Sequence, residues 1–222
     1  MSDHAAKTGR PNETDAARLI GAALAVAGAA ALAGAPARAQ TPPGDLRATL
    51  DLARALAGQG RAARDPLALI VAARLRRDLA MAPRGPARGD EDGLDTPATL
   101  LAEARKMARG DARVVSLADD VAATGEKGRE RGPLFDAGRL AAGARETYAT
   151  ISFAGGRRAG IYVEATRRVA VTVRDGAGAP ICAEDSGGPV AYCWWTPDRA
   201  TTVSVEVVNP TREPNAYRLV TN

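Results

Sequence analysis

Histidine and lysine are scarce in this sequence, which holds one histidine, His4, and three lysines, Lys7, Lys106 and Lys127. The remaining basic residues are arginines, and they are scattered through alanine-rich segments rather than gathered in one stripe. Proteins that bind nucleic acid usually combine clustered cations with aromatic side chains that stack on bases. The sequence therefore predicts a mixed-charge surface, with a formal net charge of +4, and no nucleic-acid partner.

Charged residues are absent between Arg18 and Arg38, where the chain reads LIGAALAVAGAAALAGAPA. A basic residue, an apolar run and a small-x-small sequence, here ARA at residues 37–39, are typical of a secretory signal peptide. We predict that residues 1–39 are a Sec-type signal peptide cleaved after Ala39, which makes the product periplasmic or secreted. The alternative is an uncleaved inner-membrane anchor. The run is near the short limit for a membrane span, so we favour cleavage over an uncleaved anchor. After cleavage we expect no stable membrane anchor.

Removal of His4 with the signal peptide decides how the stretch DSGGP, residues 185–189, is interpreted. It is similar to part of the nucleophile motif of trypsin-type serine proteases, which need an imidazole to take the serine proton. Neither Lys106 nor Lys127 follows a serine at Ser-x-x-Lys spacing, so lysine does not replace it. We interpret DSGGP as a polar hairpin loop and predict no catalytic residue.

Aromatic residues are absent from residues 40–123, and all eight of them follow that stretch. They are Phe135, Tyr148, Phe153, Tyr162, Tyr192, Trp194, Trp195 and Tyr217. A change of composition of this kind marks a structural boundary. We predict a helical region over residues 40–123, a linker over residues 124–133 and a second domain over residues 134–222.

Apolar residues at helical spacing and capping residues predict the helices of the first region. Asp45 caps a first helix, which Gly58 ends. Asp65 caps a second helix with Pro66 at its first position, and Thr96 caps a third. The second helix has apolar residues at every fourth position: Leu67, Val71, Leu75 and Leu79. These elements predict a small helical bundle. The alternative, a tetratricopeptide-like array, is less favoured because neither the repeat length nor the aromatic residues typical of that repeat are present.

Apolar residues alternate with polar ones through the second domain. In TYATISFAGG, for example, Ala149, Ile151 and Phe153 share one face. Six to eight such short strands, separated by turn residues, favour an antiparallel β-sandwich. The predicted fold class is therefore α+β with segregated parts: a small N-terminal helical bundle followed by a jelly-roll-like β-sandwich.

The sandwich resembles the bacterial pre-peptidase C-terminal domain, a small β-sandwich of secreted proteins. The resemblance rests on ETYATISFAGG, GIYVEA, VAVTVRDGAGAPIC, CWWTP, VSVEVVN and NAYRLVTN in that order. It implies a non-catalytic module in a secreted protein. The sequence departs from the family where Arg167 and Arg168 stand in place of acidic residues that could bind calcium.

Three other carboxylates, Asp175, Glu184 and Asp185, are the candidate metal ligands of this domain. Calcium takes six to eight oxygen ligands, with carboxylates prominent. Because Asp175 lies on a different turn from the other two, we predict no metal site and no cofactor.

The two cysteines, Cys182 and Cys193, flank the glycine-rich loop. Cysteines in an oxidising compartment usually pair, so we predict a disulfide bond between them; the alternative is two free buried thiols. No Cys-x-x-Cys pair is present, and the predicted mature chain holds no histidine, so neither indicates a zinc or redox site.

Tyr192, Trp194 and Trp195 form the candidate binding surface. Adjacent residues of a strand point to opposite faces, so one tryptophan can enter the core while the other faces outward. An outward indole beside Tyr192 could stack on a sugar ring or contact a protein. The alternative is that the second tryptophan covers a sheet edge or the disulfide bond.

Three classes of function follow from these observations. The first is an exported, non-enzymatic envelope or secreted protein whose partner is an envelope protein or a glycan. The second is a carbohydrate-binding accessory module that uses the exposed aromatic residues. The third is a glycan hydrolase that depends on two carboxylates in a cleft, although no such pair is evident in the sequence.

Overall fold

The computed structural model describes residues 43–86, 91–124 and 132–222, with side chains from Leu46 onward. The helices are α1 (Pro43–Ala63), α2 (Pro66–Asp78), α3 (Pro97–Ala108) and α4 (Ala112–Ala123). The strands are β1 (Ala82–Pro83), β2 (Leu134–Leu140), β3 (Arg145–Phe153), β4 (Ala159–Ala165), β5 (Ala170–Arg174), β6 (Pro180–Glu184), β7 (Val190–Trp195), β8 (Thr201–Val208) and β9 (Asn215–Thr221). Helices followed by an antiparallel-rich sandwich confirm the predicted α+β class.

Two predicted segments lie outside these ranges: the signal peptide, residues 1–39, and residues 125–131 of the linker. The described residues belong to one compact unit. Of the helices in these ranges, none combines the length and the apolar character that crossing a membrane requires.

The starts of α2 and α3 are set by local capping, as the sequence predicts, whereas the expected cap of the first helix at Asp45 is wrong, because α1 already begins at Pro43. The Asp65 side chain accepts a hydrogen bond from the amide of Leu67 at 2.9 Å, and Pro66 begins α2. Thr96 and Thr99 form a reciprocal capping box at the start of α3. The expected end of the first helix at Gly58 is wrong, because α1 continues to Ala63. Packing of α1 against α2 outweighs the low helix propensity of one glycine.

The helices pack around a core of small and branched apolar residues. It contains Ala53, Ala57, Leu69, Ile70, Ala72, Ala73, Leu100, Leu101, Ala104, Ala118 and Val121. The predicted apolar face of α2 is wrong in part, because Leu67 and Val71 are each 47% exposed. Positions four apart turn by about 40° relative to each other on an α-helix, so a strict row of fours leaves the interface. The buried face instead alternates steps of three and one, through Leu69, Ile70 and Ala73.

The strands form two packed sheets with a core between them. Sheet A has the strand order β1-β2-β9-β4-β7, and sheet B has the order β3-β8-β5-β6. All neighbouring strands are antiparallel except β1 and β2. The pairing of β3 with β8 shifts between Tyr148 and Ile151, and this bulge corrects the predicted inward face. Tyr148, Ile151 and Phe153 are buried, whereas Ala149 is exposed.

Helices α1 and α2 cover the outer face of sheet A. An apolar cluster joins Leu46, Leu50 and Leu79 of the helical region to Tyr162, Tyr192 and Val220 of the sheet. Beside it, both terminal nitrogens of Arg76 donate to Glu164 at 2.7 Å. Because sheet A is covered on both faces, every residue of β4 and β9 is buried.

The predicted disulfide bond between Cys182 and Cys193 is confirmed, with a Cα–Cα distance of 5.9 Å. Its two strands follow each other in the chain but belong to different sheets. β6 is an edge strand of sheet B and β7 is an edge strand of sheet A. The bond therefore joins the two sheets along one open side of the sandwich.

Candidate functional site

A groove of about 450 Å³ lies between α1 and the β6–β7 segment. Its walls are formed by Arg47, Asp51, Arg54, Glu184, Ser186, Val190, Tyr192 and Trp194. We call this site the aromatic groove. Two of the three residues of the predicted binding surface, Tyr192 and Trp194, lie in it.

Strand alternation in β7 places the aromatic residues of the groove. Tyr192 and Trp194 lie on the face of β7 that is directed away from the sandwich core, whereas Cys193 and Trp195 lie on the core side. Trp194 is 54% exposed. Trp195 is half-buried and meets Phe153 edge-to-face at 5.0 Å between ring centroids. The two tryptophans therefore separate as the sequence predicts, and Trp194 is the outward one.

Arginine side chains lie against two aromatic rings of the site. The Arg158 guanidinium is 4.2 Å from the centroid of the Trp194 ring, and that of Arg47 is 4.7 Å from the centroid of Tyr192. Cation–π attraction of this kind is worth about 0.5–1 kcal/mol at exposed sites. The Arg158 guanidinium lies over one face of the Trp194 ring, and Trp194 still remains 54% exposed.

Asp51 is held in place by the sandwich. Its carboxylate accepts a hydrogen bond from the Tyr162 hydroxyl at 2.9 Å and another from Arg47 Nε at 3.3 Å. Burial, and then the charges of Glu164 and Asp51, raise the pKa of the Tyr162 hydroxyl. Tyr162 therefore stays protonated and donates, so Asp51 anchors α1 to sheet A.

Arg54 and Glu184 are charged residues of the groove that have no partner among the described residues. Both are half-buried, Arg54 on α1 and Glu184 at the end of β6. Within the described ranges, neither has an ion pair or a side-chain hydrogen bond, and both line the groove. Sequence reasoning considered Glu184 only as a metal ligand and missed Arg54. No sequence pattern indicates which face of α1 meets β6.

Two of the three candidate metal ligands, Asp175 and Asp185, have separate structural roles. Asp175 accepts hydrogen bonds from the amides of Ala177 at 2.9 Å and Ala179 at 2.8 Å, and so closes the β5–β6 turn. Asp185 binds Arg168 through two hydrogen bonds, and this contact lowers the pKa of the Asp185 carboxyl. In the part of the chain described, no three His, Cys, Asp or Glu residues are grouped to hold a metal ion.

Ser186, the serine of the DSGGP stretch, lies at the rim of the groove. Its hydroxyl donates to the carbonyl oxygen of Val190 at 2.7 Å, which closes the loop between β6 and β7. The donor of Ser186 is thus used for loop structure. The expected hairpin is wrong, because β6 pairs with β5 in sheet B and β7 pairs with β4 in sheet A, so the loop connects the two sheets.

A second depression, of about 760 Å³, lies at the C-terminal ends of α1 and α3. It is lined by Arg61, Arg64, Glu103, Lys106, Met107 and Arg109. Arg61 binds Asp95 at 2.6 Å and Glu103 at 2.8 Å. Cations at the C-terminal ends of helices also interact favourably with the helix dipoles. Arg61 and Glu103 are already paired there and, among the described residues, no aromatic side chain lines the depression, so the aromatic groove is the better candidate for a binding site.

Comparison of the sequence with protein-family models and with curated proteins found no match. Among solved structures, the chain is similar to the pre-peptidase C-terminal domain of collagenase from Bacillus anthracis. The TM-score is 0.35 and the identity 13%, over 40% of this chain and 87% of that chain. A de novo designed double-stranded β-helix is similar at a TM-score of 0.27 and 10% identity, over 40% and 97% of the two chains. The resemblance inferred from the sequence is thus found again in the structural comparison.

Proposed function

We propose that this protein is exported and acts as a non-enzymatic binding protein whose aromatic groove takes a carbohydrate. The observation that carries the proposal is the position of Trp194, which is 54% exposed in a groove that also contains charged side chains. Sugars offer apolar ring faces that stack on an indole and hydroxyl groups that bind polar side chains. A groove of this size suits a short stretch of glycan.

The disulfide bond supports export. Cys182 and Cys193 are paired, and stable disulfides are characteristic of secreted, periplasmic and cell-surface proteins. Intact mass of the native protein, before and after reduction and alkylation, tests this part of the proposal. We expect a species that begins at Gln40, with thiols that react only after reduction. A full-length species with free thiols would contradict export.

The carboxylates of the groove support a binding role over hydrolysis. A glycoside hydrolase ordinarily needs two carboxylic groups that flank the scissile bond. Asp51 is engaged by Tyr162 and Arg47, which leaves Glu184 as the carboxylate of this groove without a partner among the described residues. Release of reducing ends from a bound glycan would show that the non-enzymatic part of the proposal is wrong.

Titration of the mature protein with soluble oligosaccharides, read by calorimetry and tryptophan fluorescence, tests the carbohydrate proposal. We expect Trp194→Ala to weaken binding by about tenfold or more, equivalent to about 1.4 kcal/mol, because the stacking surface is lost. Leu117→Ala on α4 is the matched control, since Leu117 is also an exposed apolar residue, at 43%, but lies outside the groove. Equal binding by the Trp194→Ala variant and the parent protein would contradict the proposal.

A further inference from the structure

Arg54 and Glu184 differ from the other charged residues of comparable burial. Every other charged side chain that is buried or half-buried in the described ranges has an ion pair, a hydrogen bond or another polar interaction. Arg54 and Glu184 have none, and both line the aromatic groove. Two exceptions of opposite sign therefore occur in one site.

Withdrawing a charge from water without a partner costs free energy. Elsewhere in this protein the cost is offset by pairing, as between Arg84 and Asp136 at 2.8 Å. Among the described residues, Arg54 on α1 and Glu184 on β6 form no ion pair with each other, although both line the groove. A ligand that supplies an anion to Arg54 and a cation to Glu184 would provide both partners.

We infer that the aromatic groove selects a glycan that carries carboxylate groups and free amino groups together. This inference rests on the proposed carbohydrate-binding function. Arg54 binds the carboxylate, for which a guanidinium offers a bidentate, charge-assisted geometry. Glu184 binds the ammonium group, and a sugar ring between the two charges stacks on Trp194. The neighbouring arginines are already engaged, Arg47 by Asp51 and Arg158 by the Trp194 ring.

Four forms of one oligosaccharide separate the charges of the ligand. Hyaluronan oligomers alternate a uronic acid with an N-acetylated amino sugar. The native oligomer carries only carboxylates, and its de-N-acetylated form carries carboxylates and ammonium groups together. Carboxyl reduction of the de-N-acetylated form leaves only ammonium groups, and carboxyl reduction of the native oligomer gives a neutral chain. With the mature protein, we expect the form that has both charges to bind at least about tenfold more tightly than any of the other three. Added salt should narrow this difference, because it screens the charges.

Two charge-removing variants assign the charges to residues. Arg54→Gln should abolish the preference for the carboxylate and keep the preference for the free amine, and Glu184→Gln should do the reverse. Arg113→Gln and Asp120→Asn on α4 are controls of equal charge change on exposed residues outside the groove. Circular dichroism checks that each variant is folded.

The outcomes distinguish this inference from the function on which it rests. If all four forms bind with equal affinity, and neither variant changes the affinity for any of them, the inference is wrong and carbohydrate binding stands. If none of the four forms binds, and neutral oligosaccharides of other types also fail to bind, both proposals are overturned.

Discussion

Arg76 carries its guanidinium from α2 into the space between the helices and sheet A, where its side chain has an exposure of 0%. It forms a bidentate pair with Glu164, and Arg218 approaches the same carboxylate at 3.5 Å. Arg218 in turn binds Glu91 at 2.6 Å. One buried carboxylate therefore serves two cations, and at this scale Glu164 is the residue on which the charge balance of the interface depends.

Replacement of Glu164 by glutamine should destabilise the protein by about 3–5 kcal/mol, because Arg76 then keeps a buried charge without a counter-ion. Urea denaturation followed by circular dichroism measures the change in the free energy of unfolding. Arg74→Gln is the control: Arg74 pairs with Asp78 at 3.9 Å on the surface, and loss of such a pair costs less than about 1 kcal/mol. Similar effects of the two variants would refute this assignment.

At the scale of elements, α1 shows how two glycines of one helix differ. A Cβ added at Gly58 would meet no atom within 4 Å, whereas one added at Gly60 would lie 3.1 Å from Ala68 Cβ and 3.0 Å from the Asp65 carbonyl oxygen. Gly60 is therefore the point of close approach between α1 and the start of α2. Gly58 only lowers the helix propensity of α1.

Substitution of each glycine by alanine tests this difference. Gly58→Ala should raise the free energy of unfolding by roughly 0.5–1 kcal/mol, through helix propensity and reduced freedom of the unfolded chain. Gly60→Ala should lower it by about 1 kcal/mol or more, because the added methyl group presses on α2. Thermal unfolding of the two variants beside the parent protein gives both values. A gain of stability from Gly60→Ala would contradict the close approach.

Elements whose signals are local could be predicted from the sequence, and contacts between elements could not. Asp65 and Thr96 mark helix starts because a cap acts within three residues of itself. The buried face of α2 and the bulge after Tyr148 depend on what packs against them, and sequence spacing predicted these faces only in part. For the candidate site, Tyr192 and Trp194 were identified from strand alternation. Arg54 was missed because only the tertiary fold brings α1, and Arg54 with it, next to the β6–β7 segment.

At the scale of the whole molecule, the helices and the sandwich share one interface. Tyr162 and Tyr192 on sheet A are buried by Leu46 and Leu50 of α1. The change of composition near residue 123 marks where helices give way to strands, but it carries no information on this contact. Separation of the two parts would expose the apolar cluster and also the charges of the Arg76–Glu164 pair.

We therefore expect the helices and the sandwich to unfold together. Far-ultraviolet circular dichroism, which reports mainly on the helices, and fluorescence of Trp195, which reports on the sandwich core, should give coincident transitions in urea. A Trp194→Phe background removes the signal of the exposed indole. Two separated transitions would show that the interface contributes little, and would mean that the helical region and the sandwich are independent modules.

The strand order of sheet A also has a consequence for the timing of assembly during synthesis. β9 lies between β2 and β4, although it is made after both of them. A ribosome that has released β2 and β4 has therefore not yet supplied the strand that pairs with each of them. The sheet can close only after Thr221 has emerged, so the chain stays open until β9 has been made. A polypeptide in that state can be threaded through a narrow translocation channel, whereas a closed sandwich cannot.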